Sequence, residues 1–120
     1  TLDLNLSFIG KDKFYNRLTR GYDPINAPKF KLNGKLAYIA KDGLFGNIGA
    51  RYIPEFEWSS GVNFGMIESY FVLDGMVGYR FNEKYDLLLN INNMNDNLHR
   101  EIIGGPKLGR QITLKFNAKF

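Results

Sequence analysis

The stretch that decides the fold is QITLKFNAKF, residues 111–120. Its apolar and polar side chains take alternate positions, which predicts a β-strand with one apolar face and one polar face. The apolar set is Ile112, Leu114, Phe116, Ala118 and Phe120, and the polar set is Gln111, Thr113, Lys115, Asn117 and Lys119.

Five earlier stretches repeat the alternation: residues 1–9, 30–40, 44–53, 70–81 and 85–94. The pattern of the third is weaker because Phe45 and Ile53 fall on its polar face. No segment shows a sustained helical period. The sequence therefore predicts an all-β fold, an antiparallel meander of about six strands.

The connections between these strands alternate in length. Residues 10–29, 54–69 and 95–110 are long connections, whereas 41–43 and 82–84 are tight turns. In a meander, alternate connections lie at the same end, so all the long loops share one end. Outer-membrane barrels sort their loops in this way, and strands of about ten residues can cross the bilayer. We expect six transmembrane strands that are part of a larger outer-membrane β-barrel, because the smallest membrane barrels have about eight strands.

Alternation alone does not separate a membrane strand from a strand with a soluble core. Clustered aromatic residues near the strand ends favour the membrane, because such residues form girdles at both interfaces. They are Tyr38, Tyr52, Tyr70, Phe71, Tyr79, Phe81, Tyr85 and Phe120. The apolar face also carries no charged residue in any of the six strands.

Composition and motifs exclude several classes of function. The chain has 120 residues, which suggests one domain at most, and no cysteine, which excludes disulfides and thiolate metal sites. The net charge of +4 is compatible with nucleic acid, a membrane surface or an anionic ligand. The single histidine, His99, has only Glu101 nearby in sequence, which is too few ligands for a metal. We expect no enzyme activity, no cofactor, no metal and no nucleic-acid partner.

Residues 87–120 resemble the C-terminal end of TonB-dependent outer-membrane receptors, particularly those of Bacteroidetes. The likeness rests on Asn90, Asn92, Asn93 and Met94, on His99 and Glu101, and on Gly104, Gly105, Pro106, Leu108, Gly109 and Arg110. Residues 60–65 and 69–81 are similar to the preceding loop and strand of that family. The resemblance covers at least residues 54–120 and, by the rhythm of its strands, the whole chain.

This resemblance implies that residues 1–120 are the C-terminal segment of a transmembrane barrel, a single incomplete domain without the plug and the earlier strands. The expected function is a barrel-wall component of a transporter in the outer membrane of a Gram-negative bacterium. The cargo would be a scarce nutrient such as a siderophore, vitamin, glycan or peptide. The implied partners are the rest of the barrel and its plug, TonB-ExbB-ExbD through the missing N-terminal part, outer-membrane lipid and a surface lipoprotein.

The resemblance also assigns an assembly signal to the last strand, carried by Phe116, Ala118 and Phe120. On the polar face, the residues expected to line the lumen are Lys31, Lys35, Arg51, Asp74, Arg80, Asn90, Asn92 and Lys115. A cationic lumen would favour anionic cargo. The same side chains could instead pair with carboxylates of the plug or of neighbouring strands.

Aromatic residues in the long connections are candidates for contact with a ligand. Tyr15, Tyr22, Trp58 and Phe64, together with His99, form this set. Rings of this kind stack on sugars or siderophores, and they also pack loops over a barrel mouth. Two other functions stay open: a soluble β-barrel that binds an apolar ligand inside, and a structural outer-membrane protein without TonB coupling.

Overall fold

The computed structural model describes residues 1–119, so Phe120 and its expected role in assembly lie outside the described residues. Ten strands account for most of this part of the chain. They are β1 (Leu2–Phe8), β2 (Lys13–Asn16), β3 (Gly21–Pro24), β4 (Phe30–Ile39), β5 (Leu44–Ile53), β6 (Phe56–Ser60), β7 (Asn63–Ile67), β8 (Tyr70–Arg80), β9 (Tyr85–Asn92) and β10 (Gln111–Ala118). Among the described residues, none belongs to a helix long and apolar enough to span a bilayer.

Six of the strands form one antiparallel sheet in the order β1-β4-β5-β8-β9-β10. This order confirms the predicted meander, because strands that follow one another along the main path are also neighbours in space. β4, β5 and β8 contain 10, 10 and 11 residues. A tilted strand of about 9–11 residues crosses the hydrocarbon layer of a membrane.

Two of the three long connections contain hairpins that the alternation did not predict. β2 pairs with β3, and β6 pairs with β7. The long connections 10–29 and 54–69 are therefore partly regular structure and not only loops. Gly61 has a φ of 61° and occupies the first central position of a two-residue turn between Ser60 and Asn63, where a type II′ turn favours glycine.

The pairing register places the apolar residues of neighbouring strands on one common face. Leu36 lies opposite Ile48, and Leu89 lies opposite both Val77 and Leu114. Most large side chains on this face are at least one-third exposed, and no other part of the described chain covers them. Such a broad apolar surface is not stable in water, and it fits contact with lipid.

Aromatic residues form two rows on the apolar face, one near each end of the strands. Phe8, Phe30, Tyr52 and Phe71 form the row at the loop end, where Phe30 and Tyr52 have ring centroids 6.1 Å apart. Tyr38, Tyr79, Phe81, Tyr85 and Phe116 form the row at the turn end. Tyr70 belongs to neither row, because it lies opposite Ile53 on the polar face and is 8% exposed. Its predicted place in a girdle is wrong.

The tight turns depend on two particular residues. Gly43 has a φ of 96°, and a Cβ atom there would overlap the carbonyl oxygen of Arg80. Any other residue would therefore be strained and would clash. In the second turn, the side-chain oxygen of Asn82 accepts hydrogen bonds from the backbone N–H groups of Lys84 (2.8 Å) and Tyr85 (3.0 Å). Gly43 and Asn82 thus allow short turns to connect β4 with β5 and β8 with β9.

Cysteine labelling on intact cells checks the orientation of the sheet. Cysteines that replace Leu18 and Val62, at the tips of the two hairpins, should react with an impermeant maleimide, because these residues are 95% and 90% exposed at the loop end. Cysteines at Asp42 and Glu83 should react only after the outer membrane is opened, because short turns face the periplasm. Labelling at Asp42 on intact cells would reverse the assigned orientation.

Candidate ligand-binding surface at the loop end

The buried core of the described chain lies at the loop end of the sheet. It consists of Ile53, Ile67, Tyr70 and Val72, with Phe56, Trp58 and Ile103 packed against it. Ile67 is 1% exposed and Val72 is fully buried. The core joins β5, β7 and β8 to the connection after β9. It also explains why Ile53 breaks the polar pattern of its strand, since this position packs against protein.

A groove separates the two loop hairpins, and we call it the inter-hairpin groove. It has a volume of about 470 Å³, and its walls include the rings of Tyr22, Trp58 and Phe64. Tyr22 and Phe64 are 72% and 76% exposed, so their rings face solvent. The charged residues Lys13, Asp23 and Glu57 also line the groove, so it combines aromatic and polar groups.

One exposed ion pair lies in the wall of this groove, and a second lies next to it. The Lys13 ammonium lies 2.9 Å from the Glu57 carboxylate and links the two hairpins. The hydrogen bond to Glu57 raises the pKa of Lys13 above its ordinary value. Lys29 lies 3.1 Å from Asp12, and this hydrogen bond lowers the pKa of the Asp12 carboxyl group. Both pairs are exposed, so salt screens them and each contributes little to stability.

The five loop residues predicted to contact a ligand occupy three different surroundings. Tyr22, Trp58 and Phe64 meet in the inter-hairpin groove. Tyr15 supports the groove from outside, because its ring packs edge-on against Tyr22 with centroids 5.5 Å apart. His99 is separate from the groove and only 8% exposed. Ligand contact stays a prediction for all five.

His99 helps to hold the third long connection against the sheet. Its ring stacks on Tyr70 at 4.1 Å, and its Nδ1 donates to the backbone carbonyl of Asn97 at 2.7 Å. Its Nε2 lies 3.6 Å from the Glu101 carboxylate. Buried Asn93 bonds to both backbone groups of Asn97. Within residues 1–119, no three side chains of the metal-binding types form a possible metal site.

The polar face carries the residues expected to line a lumen. Asp74 accepts hydrogen bonds from Arg51 Nε (3.2 Å) and from the backbone N–H of Asn93 (3.0 Å). Arg80 lies over the ring of Phe45, 5.7 Å from its centroid. In the part of the chain that the structure describes, Lys31, Lys35 and Lys115 form no ion pair, and Asn90 and Asn92 bond to each other at 3.2 Å.

The described residues of the expected assembly signal lie on the apolar face at the turn end. Phe116 pairs with Leu87, and Ala118 pairs with Tyr85. The rings of Tyr85 and Phe116 stack with centroids 6.0 Å apart. Their role in assembly stays a prediction.

Sequence reasoning missed the loop-end core and the contacts between the hairpins. The signal for the second hairpin was present: Phe56 and Trp58, then Phe64 and Met66, alternate with polar or small residues around Gly61. That arrangement is typical of a hairpin with a two-residue turn. No comparable local signal pointed to Asn26, whose side chain bonds to Ser59 on the other hairpin.

An antiparallel meander with an uncovered apolar face, aromatic rows at both ends and all long loops at one end defines the wall of an outer-membrane β-barrel. The family described as "TonB dependent receptor-like, beta-barrel" matches residues 1–94 of this chain. The chain belongs to this family, whose members lie in the outer membrane of Gram-negative bacteria. This membership excludes the soluble ligand-binding barrel.

Solved structures agree with the family assignment. The chain is similar to the ferric-catecholate import receptor Fiu of E. coli in its closed form, with 29% identity over 78% of this chain and 14% of that one, and a TM-score of 0.65. For the open form of Fiu the identity is 29%, the coverage 76% and 15%, and the TM-score 0.64.

A mutant of the ferric enterobactin receptor PfeA of Pseudomonas aeruginosa shares the fold over 99% of this chain and 20% of that one, with 18% identity and a TM-score of 0.74. The chain thus spans 14% to 20% of the length of these receptors. A search of curated protein sequences finds no relative that matches the chain.

Proposed function

We propose that this chain is a barrel-wall segment of a TonB-dependent outer-membrane transporter and that its inter-hairpin groove contacts the cargo. The observation that carries this proposal is the groove itself, because exposed Tyr22 of the first hairpin and exposed Phe64 of the second both line it at the loop end. Both rings are mostly exposed within the described chain, so they can contact a ligand. The family membership favours transport over catalysis.

The proposed cargo is an anionic chelate that carries aromatic rings, such as a ferric catecholate. Fiu, at 29% identity, is a ferric-catecholate import receptor. The first long connection is basic, because it holds Lys11, Lys13, Arg17, Arg20 and Lys29 against two acidic residues, Asp12 and Asp23. A cationic surface raises the local concentration of an anion and speeds its capture. Aromatic walls can stack on catechol rings.

The remaining partners follow from the same proposal. Lys31, Lys35 and Lys115 would pair with carboxylates of a plug inside the barrel, and energy for transport would come from TonB-ExbB-ExbD. β1 and β10 are the two edges of the sheet and would pair with further strands of the barrel. β10 would be the last strand of the barrel, with Phe116, Ala118 and Phe120 in its assembly signal. A surface lipoprotein would be an additional partner at the loop end.

Uptake of a ferric catecholate by iron-starved cells tests this proposal. In the full-length protein, the double variant Tyr22→Ala and Phe64→Ala should raise KM about tenfold with no change in the amount of protein in the membrane, because each ring contributes about 0.5–1.5 kcal/mol of stacking. Val62→Ala is the matched control, since Val62 lies in the same hairpin and outside the groove. Unchanged uptake by the double variant would contradict cargo contact in the groove.

A further inference from the structure

The side chain of Asn26, which follows the first loop hairpin, forms two hydrogen bonds with the second one. The Nδ2 of Asn26 donates a hydrogen bond to the carbonyl oxygen of Ser59 at 2.8 Å, and its Oδ1 accepts one from the N–H of Ser59 at 2.7 Å. We propose that Asn26 is a positioning residue that makes the two hairpins one unit and thereby fixes the width of the inter-hairpin groove. The effect on cargo rests on the proposed function, whereas the joining of the hairpins does not.

The geometry at Ser59 explains why a side chain can form this connection. Ser59 lies opposite Phe64 in the β6–β7 hairpin, next to the pair Ser60 and Asn63 that flanks the turn. Facing residues in an antiparallel ladder alternate between bonded and non-bonded pairs. Both backbone groups of Ser59 point away from β7 and toward Asn26. The side-chain amide of Asn26 therefore forms hydrogen bonds with the free edge of β6, as the backbone of an additional strand would.

The backbone at Asn26 restricts which residue can do this. Its φ is 58°, in the left-handed region that asparagine and glycine adopt more readily than other residues. Glycine would fit the backbone conformation but has no side-chain amide. Aspartate would accept the bond from the Ser59 N–H and could not donate to the carbonyl oxygen. Asparagine alone combines the backbone conformation with both hydrogen bonds.

The position of the Asn26 bonds places them beside the groove walls. Ser59 follows Trp58 directly, and Tyr22 lies on β3, which ends two residues before Asn26. The Lys13–Glu57 pair also links the hairpins, but nearly half of each side chain is exposed. Exposed ion pairs contribute little. The part-buried bonds of Asn26 are the stronger constraint on the distance between Tyr22 and Trp58.

A groove held in one shape binds more tightly than a groove that must be ordered by its ligand. Ordering of each mobile side chain on binding opposes affinity. Without Asn26, the hairpins keep their own turns, since β2–β3 and β6–β7 each have internal pairing. They lose their fixed separation. The expected change is thus in the spread of distances between the hairpins and not in their folding.

Spin-label distances measure this separation directly. In the full-length protein, freed of other cysteines, Leu18→Cys and Val62→Cys carry one label at the tip of each hairpin. Wild type should give a narrow distance distribution, Asn26→Gly a broad one, and Asn26→Asp an intermediate one, because it keeps one of the two bonds. Lys13→Ala is the control and should broaden the distribution least. An unchanged distribution in Asn26→Gly would overturn the positioning role.

Cargo uptake by the same variants separates this inference from the proposed function. Asn26→Gly should raise KM for a ferric catecholate about three- to tenfold at unchanged maximal rate, since the ordering of a few side chains becomes part of binding. Asn26→Asp should show a smaller increase. A broadened distribution with unchanged KM would refute cargo contact in the groove and would leave the joining of the hairpins intact.

Discussion

Replacement of Leu89 by arginine destabilises the assembled barrel by about 2–4 kcal/mol, and replacement of Asn90 by arginine has a far smaller effect. Leu89 lies between Val77 and Leu114 on the apolar face, near the middle of its strand. Asn90, the next residue, lies between Met76 and Thr113 on the polar face. The difference arises because a guanidinium group at Leu89 must enter hydrocarbon.

The measurement is reversible urea unfolding of the full-length protein in lipid vesicles, with the heat-modifiable folded band as an independent readout of assembly. The two substitutions differ by one position and introduce the same side chain, so each is the matched control for the other. Equal destabilisation by both would show that the two faces are assigned wrongly.

Replacement of Ile67 by alanine destabilises the loop end by about 2–5 kcal/mol, the usual range for removal of a large buried aliphatic side chain. Ile67 is 1% exposed and packs with Ile53, Tyr70 and Val72. The lost contacts join the second hairpin to the sheet. Hydrogen exchange of the backbone amides of β6 and β7 measures the effect, because these amides should exchange much faster in the variant.

Val62→Ala is the control for this experiment. Val62 lies in the turn of the same hairpin and is 90% exposed, so its truncation should change stability by no more than about 0.5 kcal/mol. If Ile67→Ala left exchange in β6 and β7 unchanged, the hairpin would be held by contacts other than the loop-end core.

The sequence predicted the six strands of the main sheet well, because each has seven to eleven residues and shows the alternation several times. The sequence did not predict β2, β3, β6 and β7. These strands have only four or five residues each, so the alternation of apolar and polar residues repeats too few times to be recognised. Short strands depend on their turns. The turn around Gly61 was a sufficient signal for the second hairpin.

The core and the groove could not be derived in the same way. In the sequence, Ile53 and Phe45 only interrupt the alternation of β5. The structure explains both positions by tertiary contacts, since Ile53 packs near Ile67 and Phe45 covers Gly78. The bonds between Asn26 and Ser59 join residues 33 positions apart. Tyr22, Trp58 and Phe64 were predicted as candidates one by one, and only the fold shows that they share a groove.

The location of the buried core at the loop end separates two parts of the described chain that are stabilised in different ways. Within the described chain, the buried apolar side chains lie near that end, whereas the middle of the sheet depends on alternation and lipid. Mutations that reshape the hairpins therefore affect a small core that is separate from the lipid-facing side of the sheet. The wall beneath can stay unchanged while the sequences of the hairpins change, so variation at the loop end does not require changes in the membrane-spanning sheet.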